Sequence, residues 1–185
     1  MQQLCFIGFM TLIYLGSRIF SIKKKGNCNR KKEWIQFIFA EFVFGVIGVT
    51  LLPIYIRIGY HPTWDSIDIN IRPFHFIEEY HSSIQMDSFY VSIAVKNLLG
   101  NVLLFLLFGF LIPLLREKKT TVYYIILVCF CVSFCIEIFQ TVERFLGIGL
   151  RIADIDDILL NCLGGLTGFG IYKICSTIWH LKTPR

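Results

Sequence analysis

The stretch LRIADIDDILLNCLGG, residues 150–165, sets Arg151, Asp154, Asp156 and Asp157 against an apolar run, then places Asn161 and a glycine pair inside that run. Carboxylates, an amide and a guanidinium at one helix start can hold one another, bind a polar ligand, or serve as acid, base or cation ligands. Two other segments carry groups of the same kind. VKNLLGNVLLF spaces Asn97 and Asn101 at i, i+4, and FCIEIFQTVER spaces Glu137, Gln140 and Arg144 at i, i+3, i+7. Both spacings put their polar groups on one helix face. In the opening stretch Asp157, Asn161, Gly164 and Gly168 share a stripe at about 100° per residue, so polar and small residues face the same neighbour. Glycine there lets a second helix approach closely, and a lipid-facing Asn161 would leave its amide unsatisfied.

The elements that must position these groups follow from composition. The 185 residues are 55% hydrophobic, 16% aromatic and 17% charged, with a mean hydropathy of +0.64. These values lie far from a soluble average and predict an integral membrane protein. Five apolar segments, residues 3–22, 34–56, 94–115, 122–140 and 158–179, are long enough for the roughly 20 residues a bilayer core requires. The expected fold is an all-α, polytopic bundle of about five transmembrane helices. The N-terminal run lacks a basic start and a small-residue cleavage site, so it reads as a retained first helix.

The formal charge of +5 is informative through its placement. Lys23, Lys24, Lys25, Arg30, Lys31 and Lys32 fill the first loop, Arg116, Lys118 and Lys119 the third, and Lys182 and Arg185 the tail. The positive-inside bias then puts the N-terminus outside and the C-terminus in the cytoplasm, with no reason to expect nucleic acid as a partner. In that topology three helices bring Asn97, Asn101, Glu137, Gln140, Arg144, Asp157 and Asn161 to one depth at the outer rim. Either a structural clamp, such as Glu137 to Arg151, or a ligand site accounts for the convergence.

The rest of the chain offers less. Glu41 lies about 12 Å into the second span at 1.5 Å per residue, and a pair with Arg18 is its expected partner. The long connection before the third span alternates Trp64, Phe74, Phe76, Tyr80, Phe89 and Tyr90 with polar groups, as suits a headgroup layer. His61, His75 and His81 lack metal-ligand spacing, and Cys129, Cys131 and Cys135 do not make a metal motif. Neither a metal nor another cofactor is expected. Ser133 and Thr141 have no histidine placed to activate them as nucleophiles.

At these residues the sequence resembles the VanZ-like family of bacterial membrane proteins, associated with teicoplanin resistance. The matching pieces are NLLGNVLLFLLFGFLIPLL from Asn97, IEIFQ from Ile136 and RIADIDDILLNCLGGLTGFGIY from Arg151, with INIRPF as an extended lead-in. The resemblance divides the chain into residues 1–44, a first helix, basic loop and start of the second helix; 45–173, the family core; and 174–185, a short cytoplasmic end. It implies a multi-pass protein of the bacterial cytoplasmic membrane that lowers susceptibility to lipid-interacting glycopeptides. Its motif positions are Asn97, Asn101, Glu137, Gln140, Arg151, Asp154, Asp157, Asn161, Gly164, Gly165 and Gly168.

Two functions fit. The outer cluster, with Arg144 included, binds an envelope lipid, a lipid-linked wall precursor or a partner protein; or Glu137 with Asp154 or Asp157 performs acid–base chemistry on a lipid-linked substrate. No catalytic residue can be assigned. Transport is disfavoured by the lack of repeated halves.

Overall fold

The computed structural model describes residues 1–25, 29–55, 59, 68–116, 119–149 and 151–182, the side chains of 24, 25 and 180–182 excepted. Arg57, His61 and Trp64 lie outside the described residues, as does Cys28. The chain is an all-α multi-pass bundle. Helices α1 (Gln2–Lys25), α2 (Arg30–Thr50), α4 (Ser88–Leu115), α5 (Val122–Phe145) and α6 (Ile155–Lys182) are each long and apolar enough to cross a membrane. Between them lie a shorter helix, α3 (His75–Met86), and two short strands, β1 (Ile69–Asn70) and β2 (Ala153–Asp154).

Helix bounds follow from local chemistry. Asn29 caps α2 by accepting from the Lys32 N–H, and Thr121 caps α5 by accepting from Tyr124 N–H, both at 3.3 Å. The Asp87 carboxylate accepts from Ser88 N–H and starts α4 earlier than its apolar run. The second helix stops at Thr50, short of the expected residue 56, because Pro53 disfavours helical backbone before it and has no N–H to give. The 28 residues of α4 and of α6 reach about 42 Å, beyond the ~30 Å hydrocarbon core, so their ends project past it.

Phe105, Phe108, Ile112, Ile125, Cys129 and Phe169 form the buried core of α4, α5 and α6, against which Phe39 and Phe42 of α2 pack. The α4 and α6 backbones touch. A Cβ on Gly164 would stand 2.2 Å from Val102 O, one on Gly168 1.9 Å from Leu106 O, and one on Gly109 2.0 Å from Gly165 O. Gly165 itself faces Cys129 Sγ, 2.3 Å from where its Cβ would be. No side chain fits in these places, and this contact sets the relative depth of the two helices.

Helix α1 is peripheral, with none of its apolar window buried, and packs on α2. The expected pair of Arg18 with Glu41 is not formed. Arg18 holds Glu33 through Nε, at 2.9 Å, and Nη2. Glu41 Oε2 accepts from the Thr11 hydroxyl at 2.9 Å, and its Oε1 has no partner. Glu33 lies eight residues nearer the loop than Glu41, where the long arginine stem can bring its head towards the interface.

Candidate functional site

The segment before α3 is tied to the start of α6. β1 pairs in parallel with β2, Ile69 opposite Ala153 and Asn70 opposite Asp154. Asn70 Nδ2 donates to both Asp154 carboxylate oxygens at 3.0 Å, and Asp156 N–H donates to Asp154 Oδ1 at 2.8 Å. Asp154 N–H in turn donates to Glu137 Oε2 of α5 at 2.9 Å. Asp156, 1% exposed, accepts from Phe74 N–H at 2.6 Å and Phe76 N–H at 2.9 Å. These are free donors at the start of α3, where Phe74 adopts the left-handed region (φ 67°). A carboxylate from a distant part of the chain thus caps α3, as the unpaired N–H groups and positive end of a helix favour.

Anchoring α3 there encloses a cleft of 640 Å³ between α3, α4 and the start of α6, within the range of small-ligand sites. Asn97 and Asn101 line it from α4, Gln140 from α5, Asp154 and Asp157 from the opposite side, and Arg151 at the exposed edge. Phe76, Ile77 and Tyr80 of α3, with Leu98 and Leu160, make the apolar walls. Asn101 Nδ2 donates to Asp157 Oδ1. Gln140, 2% exposed, donates through Nε2 to Thr50 O at 3.0 Å, while its Oε1 has no partner. Amides and carboxylates beside aromatic and aliphatic walls suit a molecule with hydroxyl or amine groups at one end and an apolar body. Among the described residues no group of three His, Cys, Asp or Glu side chains is placed to hold a metal ion.

The family described as VanZ/LLP1 matches residues 6–176, nearly the whole chain. The chain belongs to the VanZ/LLP1 family. No curated protein and no solved structure matches it.

Within this VanZ/LLP1 chain the polar cluster residues named from the sequence divide into three groups. Asn97, Asn101, Gln140, Arg151, Asp154 and Asp157 line one cleft. Glu137, 6% exposed, lies behind it, supporting the strand that carries Asp154. Asn161 does not share the α4 neighbour of Asp157, Gly164 and Gly168 as its spacing suggested; it is buried deeper and donates to Ser133 Oγ of α5 at 2.7 Å, and Arg144 lies 4.0 Å from Asp68; neither lines the cleft. The expected Glu137 to Arg151 clamp is replaced by two backbone contacts. Glu137 takes Asp154 N–H, and Arg151 Nη2 donates to Val49 O at 2.9 Å. Asp154 stands just before α6 and Val49 in the last turn of α2, where an N–H and a C=O lack helical partners and compete well for both side chains.

Asp156 and Asn70 were not marked by helical spacing. Asp156 lies off the stripe of Asp157 and Asn161, and Asn70 is 84 residues from its partner. The available signal was INIRPF itself, where a proline precedes a helix start and an outside carboxylate can serve as cap.

Proposed function

We propose that the cleft faces the outside of the bacterial cytoplasmic membrane and binds an envelope lipid or lipid-linked wall precursor, lowering susceptibility to teicoplanin-type glycopeptides. The observation that carries this reading is the shared cleft of Asn97, Asn101, Gln140, Arg151 and Asp157 under the apolar wall of α3. Asn97 and Asn101 offer donors and acceptors to sugar or peptide groups, and Arg151 at the rim suits a phosphate or carboxylate. Phe76, Ile77 and Tyr80 would cover the lipid part nearest the headgroup.

The test is teicoplanin and vancomycin susceptibility in a strain expressing the wild-type chain beside Asn97→Ala, Asn101→Ala, Arg151→Gln and Asp157→Asn, at matched membrane levels. Protection against teicoplanin is expected from the wild type and lost in the cleft variants. Full protection by all four variants would exclude the cleft as the working site.

A further inference from the structure

At the end of the bundle away from the polar cleft, a second cavity of 330 Å³ opens between the end of α4, the residues just before α5 and the second half of α6. Arg116, Lys119 and Lys173 converge on it, with Thr120, Ser176 and Thr177 supplying hydroxyls. No carboxylate lines it among the described residues. The Arg116 guanidinium lies 3.6 Å over the Tyr124 ring and Lys173 Nζ 5.3 Å from the centre of the Phe169 ring. These aromatic faces steady two of the cations without neutralising them. Thr120 is 9% exposed and its Oγ1 has no hydrogen-bond partner. Three like charges and an unused hydroxyl on one cavity form an arrangement that an anion completes, by removing the repulsion and accepting a hydrogen bond from the hydroxyl.

The geometry points to a binding site for a phosphate group, presented by an anionic phospholipid headgroup, with Lys119 and Lys173 as charge contacts and Thr120 Oγ1 as donor. Phe169 and Tyr172 form the apolar side of the cavity. The cavity sits at the ends of membrane-length helices, where headgroup phosphates lie and basic pockets between helices meet them. It shares no residue with the polar cleft.

The full-length protein in detergent, given phosphatidylglycerol or phosphatidylcholine at matched concentrations, provides the test, with bound lipid counted by native mass spectrometry. Wild type is expected to retain phosphatidylglycerol in preference. The double variant Lys119→Gln/Lys173→Gln should bind it roughly fivefold more weakly for each lysine removed. Lys31→Gln/Lys32→Gln, of equal charge change elsewhere, should bind as wild type. Thr120→Val, nearly isosteric and so a safeguard against misfolding, should weaken retention roughly threefold to tenfold. Displacement of the lipid by millimolar inorganic phosphate would keep the phosphate site and assign its source to the soluble ion, whereas resistance to displacement assigns it to the headgroup. Equal retention of the two lipids by wild type, equal losses in both lysine double variants, or wild-type retention by Thr120→Val would overturn the proposal.

Discussion

Two neighbouring aspartates in the same helix turn have different work. Asp156 is buried and both its oxygens accept backbone N–H groups of α3. In Asp156→Asn one of those donors would meet an NH2 group instead, removing a charge-assisted bond and leaving a buried N–H unsatisfied. The expected cost is about 2 kcal/mol, seen as a lower melting temperature in detergent with faster amide exchange across α3. Asp157 uses one oxygen on Asn101 and lines the cleft. Asp157→Asn can still offer Asn101 an amide oxygen, so its melting temperature should fall much less than that of Asp156→Asn while protection is lost. Equal destabilisation by the two substitutions would make Asp157 a second clamp.

Between elements, the α4 and α6 contact is the tightest constraint. Gly168→Ala would place a methyl 1.9 Å from Leu106 O, which only a separation of the two backbones can relieve. Overpacking of this kind costs about 1–3 kcal/mol. Gly170 on the same helix has nothing within 4 Å of its missing Cβ. Gly170→Ala should be neutral or stabilising by up to about 1 kcal/mol, since alanine loses less freedom than glycine in a helix. Thermal unfolding of the pair in one detergent separates the predictions; similar melting temperatures would mean that the helices slide past each other without cost. Helix α3 packs on α4 and is tied down in addition by the β1 to β2 bridge and by Asp156.

For the whole molecule, the bias of lysine and arginine predicts that the first loop lies in the cytoplasm and α3 outside. A membrane-impermeant maleimide should therefore label Glu79→Cys in intact cells or spheroplasts and reach the native Cys28 only after permeabilisation. Labelling of both from one side would invert or break the topology. The cleft and the basic cavity lie towards opposite ends of α4 and α6, so these two outcomes also assign each site to a leaflet.

Apolar run lengths determined the five spans, because a bilayer imposes a minimum length and leaves no other way to satisfy the backbone. Helical spacing also grouped Asn97 with Asn101 and Asp157 with the glycine stripe, since those relations are local to one helix. Partners across the fold were beyond that reach. Helical spacing cannot show that Arg18 meets Glu33 instead of Glu41, that Glu137 supports the Asp154 backbone instead of Arg151, or that Asp156 caps a helix eighty residues away. Tertiary structure decided those pairings because a polar group withdrawn from water takes whichever donor or acceptor the packed chain places nearest, and that choice depends on helix depth, on where a helix stops, and on irregular backbone between spans.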